Sequence, residues 1–136
     1  MTDPLARYPG YALRRAATAA GAQLNERLAA LGLRQSSVSV LLLVAENPDI
    51  TASALGRKLD IQRANMVPLL KRMEQADLIA RRAIDGKSQG LVLTSEGERT
   101  CKAARKVIDA FEAELIARVP AKHRDHLLPA LNALWD

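Results

Sequence analysis

Apolar residues recur at helical spacing along most of this chain and switch to alternation once, which predicts a helical protein with a single hairpin. After Pro9, "GYALRRAATAAGAQLNERLAALG" predicts a long alanine-rich helix closed by Gly32. "SSVSVLLLVAENP" predicts a second, strongly apolar helix, capped by Ser36 or Ser37 and ended by Pro48. "DITASALGRKLD" follows as a short helix with Ala54, Leu55 and Leu59 inward, and another helix spans Gln62 to Ala76. "LIARRAI" and "GLVL" then flank the polar "DGKSQ", the pattern of a β-hairpin. Helical spacing returns in "TSEGERTCKAARKVIDAFEAELIARV". There Ser95-x-x-Glu98 has capping-box form, and Val107, Ile108, Phe111, Leu115 and Val119 share a face. A last helix follows Pro120, with Leu127, Leu128, Leu131, Leu134 and Trp135 on one side. With no internal repeat and no low-complexity linker, residues 1–136 form one unit, mainly α with a small β-hairpin.

The helix from Gln62 to Ala76 holds a proline in its interior. On a wheel, Met66, Leu69, Leu70, Met73 and Ala76 make the core stripe. The opposite face presents Ala64, Pro68, Lys71 and Gln75, flanked by Asn65, Val67 and Arg72, with Gln62 and Arg63 at the helix start. Pro68 therefore faces outward, and the carbonyl it leaves without a donor, that of Ala64, lies where water or a ligand reaches it. Two geometries fit: a helix that continues through Pro68, or a tight turn at 62–66 with the helix starting near Pro68. The outer face suits the DNA major groove. Ala, Val and Pro pack against thymine methyl groups, and Asn, Gln and Arg pair with base edges. A short helix, a tight turn and a second helix of this kind form a helix-turn-helix pattern; two surface helices with a solvated polar face fit the same residues.

Charge adds a location. The chain of 136 residues carries a formal net charge of +5. Residues 54–90 hold eight lysines and arginines against four acids, so the excess centres on the helix-turn-helix. Such a patch suits a polyanion, and charge alone fits an ordinary solvated surface equally. Aromatic residues make up only 3% of the chain, which leaves the core to Leu, Ala, Val and Ile. The single cysteine, Cys101, excludes an intramolecular disulfide framework and fits a reducing cytosol. "MTDPLARYPG" lacks the form of a secretory signal, and "VLLLVA" is far too short to span a bilayer. A cytoplasmic protein without membrane contact is expected.

The element order, with "DLIARR", Asp85-Gly86-Lys87-Ser88 and "LTSEG" inside residues 50–98, resembles the MarR family of winged helix-turn-helix regulators. The layout matches over nearly the whole chain. The resemblance implies a DNA-binding lobe at 34–98 and dimerisation helices at 1–33 and 99–136. It also implies a homodimer on double-stranded DNA, usually a repressor, and an effector pocket for a small aromatic or phenolic ligand. Tyr11, Arg14 and Arg15 are the candidate pocket residues, with packing plus solvated arginines as the alternative. The terminal apolar residues Tyr8, Tyr11, Leu13, Leu127, Leu131 and Trp135 independently require a second copy to cover them. Two departures stand out. Lys87 replaces the wing arginine usual in the family, keeping the charge but losing the planar fork. Pro68 stands where a long polar side chain is common, which shifts binding onto Lys71 or Arg72.

The candidate roles follow. Gln62, Arg63, Ala64, Asn65 and Val67 approach bases, and Pro68 offers an apolar surface or sets the helix angle. Thr51 and Ser53, at the start of the preceding helix, hydrogen-bond phosphates. Lys71, Arg72, Arg82, Lys87, Ser88 and Gln89 touch the backbone. Asp85, a poor DNA ligand, orients the hairpin by pairing with a basic side chain or a backbone donor. His123 and His126 lie three apart but lack further ligands for a metal, and Cys101 has the setting of an inert small hydrophobe. No cofactor is expected, and no catalytic constellation is present. The rival from another class is a dimeric protein-interaction module with a basic surface and no specific DNA site.

Overall fold

Each helix stops where the chain supplies a specific reason. In this computed structural model, which describes residues 1–136, the first long helix, α1, runs Pro9–Ala29. It ends as Gly32 takes φ +70° and the Leu33 amide donates back to the Leu28 carbonyl. Only Leu24 and Leu28, in its last third, are buried. Helix α2, Gln35–Glu46, is the centre of the core and buries Val38, Val40, Leu41 and Val44. Neither serine caps it: Ser36 and Ser37 lie inside its first turn, and the Gln35 amide donates instead to Asn25 Oδ1 across the α1–α2 corner. The helix stops before Pro48, which disfavours helical backbone at Asn47.

Helix α3, Ala52–Leu59, is capped by Thr51, whose hydroxyl accepts from the Ala54 amide. Left-handed Asp60 makes the turn into α4, Arg63–Gln75. Gly56 lets the two helices close: a Cβ there would lie 3.0 Å from the Ile61 carbonyl oxygen and 3.2 Å from Met66 Cγ. The stripe Met66, Leu69, Leu70 and Met73 is buried as expected. Ala76 is exposed, because the helix has ended and the chain turns out through left-handed Asp77.

Strands β1, Ile79–Ala83, and β2, Gln89–Leu93, pair antiparallel with Ile79 opposite Leu93 and Arg82 opposite Gly90. Ile50 adds an isolated bridge to Leu91, which ties the hairpin to the α2–α3 connection. Helix α5, Ser95–Arg118, is capped by Thr94 rather than by a box at Ser95 and Glu98. The Thr94 hydroxyl accepts from the Gly97 amide and donates to the Asp77 carbonyl, so one side chain caps α5 and holds the exit from α4. Phe111, Cys101 and Ala104 carry α5 into the core. The Arg27 guanidinium of α1 lies 5.5 Å from the Phe111 ring centre and pairs with Glu114. Helix α6, Arg124–Asn132, buries nothing; Leu134 and Trp135 lie beyond its end. Arg124 donates to the Ala117 and Val119 carbonyls and fixes the α5–α6 corner. The exposed large apolar residues gather mainly at the two ends of the chain: Leu5, Tyr8, Leu13, Ile116, Leu128, Leu134 and Trp135, the last 79% exposed.

Gly97 sits so close to the Leu78 carbonyl that a Cβ would overlap it. Gly97→Ala should therefore force α5 off the hairpin and lower unfolding free energy by about 1–3 kcal/mol, measured by urea titration. An unchanged midpoint would show that this contact is slack.

Candidate nucleic-acid interface

Helix α4 is presented by its own amphipathicity. With Met66, Leu69, Leu70 and Met73 inward, Gln62, Arg63, Ala64, Asn65, Val67, Pro68, Lys71 and Arg72 are all exposed. Gln62 occupies the cap position without a side-chain capping bond. The helix runs unbroken from Arg63, so Pro68 lies within it and does not begin it. None of Arg63, Lys71 and Arg72 is in an ion pair, whereas Arg27, Arg81, Arg82, Arg99 and Arg105 each are. The cations of α4 are therefore uncompensated by protein.

At the mouth of α3, Thr51 accepts a capping bond and keeps its hydroxyl hydrogen for an outside acceptor, and Ser53 is exposed. Ser53 stands one helical turn from Arg57. With Gln62, Arg63, Val67 and Arg81, Ser53 and Arg57 line an open groove of about 570 Å³ between α3, α4 and β1. Arg57 and Arg81 are basic residues of this surface that the sequence did not single out. The wheel of α3 carries the signal for Arg57, which falls beside Ser53 on the side away from Ala54, Leu55 and Leu59.

The hairpin tip is organised by Asp85. Its Oδ1 accepts from the Lys87 and Ser88 amides at 2.8 and 2.7 Å. Those backbone bonds, Lys87 first, hold the carboxyl below the usual carboxylate range. Lys87 and Gln89 are exposed, and Ser88 is half-buried. Arg82 is placed differently from a free phosphate ligand. Its Nε and Nη2 donate to Asp49 Oδ1 and Oδ2 at 2.8 and 2.7 Å, a bidentate pair that spans 33 residues. Arg81 pairs with Glu74 through one oxygen only, its Nε donating to Oε1 at 2.9 Å with Nη2 at the same distance.

Tyr11, Arg14 and Arg15 do come together, on the exposed half of α1. Both guanidinium groups lie within 6 Å of the Tyr11 ring centre, and Arg15 Nη1 donates to the phenol oxygen at 3.1 Å. His123 and His126 are exposed, and no group of three or more His, Cys, Asp or Glu converges on a metal-sized site. Cys101 is buried, 4% exposed.

Comparison with known proteins gives this geometry a context. The family model described as MarR matches residues 33–87. The transcriptional repressor Rv2887 of Mycobacterium tuberculosis is 28% identical over 127 residues, 92% of this chain and 91% of its own. A structure of Rv2887 with salicylic acid superposes with a TM-score of 0.74 at 26% identity, over 93% of this chain and 96% of that one. The repressor CouR bound to p-coumaroyl-CoA superposes with a TM-score of 0.89 at 30% identity, over 98% of this chain and 96% of that one. The chain belongs to the MarR family. As a MarR protein it is a winged helix-turn-helix transcriptional regulator, with α3 and α4 as the helix-turn-helix and the β1–β2 hairpin as the wing. CouR bound to a 23-mer DNA duplex matches equally well, at 29% identity and TM-score 0.89 over 98% and 99% of the two chains. No helix of this MarR chain is long and apolar enough to cross a membrane.

Two outcomes follow from the site geometry. Pro68→Ala restores an amide donor in the middle of α4 and should raise unfolding free energy by roughly 1–3 kcal/mol, seen as a higher thermal midpoint. No gain would mean that the helix already accommodates the ring without cost. The Asp49 carboxyl is held below its ordinary pKa, chiefly by the hydrogen bond from Arg82. A depressed carboxylate stabilises above its unfolded pKa and loses that contribution as pH falls through the folded one. Wing amides followed by NMR should thus stay protected from neutrality down to about pH 4 and loosen only below it. Loosening already near pH 6 would contradict the pairing.

Proposed function

We propose that this chain acts as a homodimeric repressor in the cytoplasm, binding a pseudo-palindromic operator and releasing it when a small aromatic ligand binds. The observation that carries the reading is the outer face of α4. Its amide and cationic side chains are exposed and unpaired on a continuous helix, beside a wing whose tip lysine is also free. In this reading Gln62, Arg63, Ala64, Asn65, Val67 and Pro68 face bases. Thr51, Ser53, Lys71, Arg72, Lys87, Ser88 and Gln89 position the backbone. Arg82 serves chiefly to hold the wing, and it meets phosphate only with the edge of the guanidinium that Asp49 leaves open. Asp85 shapes the wing tip. The DNA-binding lobe is residues 34–98, and residues 1–33 and 99–136 form the dimer through the apolar side chains exposed at both ends. That arrangement sets two recognition helices about 34 Å apart.

The effector class is an aromatic carboxylate or its coenzyme A thioester. Support comes from CouR, solved with p-coumaroyl-CoA, and from Rv2887, solved with salicylic acid. On this chain Tyr11, Arg14 and Arg15 offer an aromatic face with two cations, suited to the acid or phosphate end of such a ligand. A ligand that binds better to a dimer with wrongly spaced recognition helices shifts the population off DNA. The function needs no catalysis and no cofactor.

Fluorescence anisotropy of the purified protein on DNA from upstream of its own gene, against scrambled DNA, tests this. Preferential binding with a steep salt dependence is expected. Lys71→Ala should weaken binding to both DNAs and reduce the log–log salt slope by about 1. Equal, weak binding to both DNAs would favour the interaction-module reading. An operator affinity that no aromatic acid or thioester alters, in wild type or in Arg14→Ala, would remove the effector from the proposal.

A further inference from the structure

Val67 is the one large apolar side chain of α3 and α4 that points into solvent, 57% exposed. It does not stand alone. Ala64, Val67 and Pro68 fall at i, i+3 and i+4, so the three form one continuous apolar triangle on the outer face of α4, and all are exposed. The triangle lies in the N-terminal half of the helix, the part that reaches base edges in this docking mode. Unpaired Arg63 precedes it, and unpaired Lys71 and Arg72 follow it. A cation frame selects a polyanion as occupant, and within the major groove the apolar group on offer is the C5-methyl of thymine.

From this we infer that Ala64, Val67 and Pro68 read thymine methyl groups, so that part of the operator specificity of this chain is apolar. The inference rests on the DNA-binding reading and deepens it. The triangle is rigid as well as apolar. Ala and Pro have no rotamer freedom to lose on binding, and Val in a helix keeps essentially one rotamer. Contact with a methyl group thus costs little ordering, and Pro68, whose missing amide is a defect for the helix, adds fixed apolar surface at the contact.

The test replaces thymines of the footprinted operator, one position at a time, by deoxyuridine, which keeps every hydrogen bond and removes only the methyl. One or two positions per half-site should weaken binding about fourfold each, and about fifteenfold when a symmetric pair is changed. Val67→Ala or Pro68→Ala should bind the thymine operator less well and lose the sensitivity to deoxyuridine at those positions, a coupling read by the double-substitution cycle. Tight, preferential operator binding that no deoxyuridine alters overturns this inference and leaves the regulator reading intact. It is overturned equally if Val67→Ala and Pro68→Ala respond to deoxyuridine as wild type does. Absence of preferential binding to any fragment overturns both.

Discussion

The DNA-facing side of this protein depends on one close approach, that of Asp49 to Gly90. A Cβ on Gly90 would lie 2.5 Å from Asp49 Cα, so only glycine admits the contact. Around it the Asp49 amide donates to the Leu91 carbonyl at 3.0 Å, and the Leu91 amide donates to the Ile50 carbonyl at 2.9 Å. Arg82, directly opposite Gly90 in the hairpin register, grips the Asp49 carboxylate with both arms. The pair is exposed, and its value is geometric: a bidentate fork permits few orientations. Through it the wing is joined to the corner between α2 and α3. That corner joins α2, which buries Val38, Val40, Leu41 and Val44, to the first helix of the helix-turn-helix, so the wing is anchored directly beside the core.

The interior of that lobe is apolar throughout, with no buried polar or charged residue. Specific geometry is imposed at its edges instead: Thr51 at the head of α3, Asn25 at the head of α2, Thr94 between the exit of α4 and the start of α5. The long helices α1 and α5 beyond it are joined by Arg27 with Glu114, and α5 is tied back to the end of α2 by Arg105 with Glu46. Much of their apolar surface is left open, including Leu13 of α1 and Ile116 of α5.

Local signals are legible in the sequence, and non-local ones are not. The core stripe of α4 and the hairpin around "DGKSQ" follow from periodicity and turn chemistry, because each is decided within a few residues. The start of α4 does not, since a turn up to Pro68 and a helix through it fit the same residues. Caps are harder. Ser36, Ser37 and Ser95 are suitable by type, yet Asn25 and Thr94 make the capping bonds, because tertiary contacts decide which amide is orphaned. Arg82 is the clearest difference. Its sequence neighbours suggest a basic wing, and nothing local reveals that Asp49, 33 residues earlier, will lie beneath it. The apolar surplus at the termini is visible in composition, and the structure leaves it on the outside.

That surplus includes the only tryptophan in the chain. Trp135 lies beyond the last helix with its side chain largely in water, far in sequence from the recognition helix and the wing. The molecule thus carries an intrinsic optical gauge on its terminal segment. Its emission colour reports whether that segment is covered, and no label has to be placed on the surface that meets DNA.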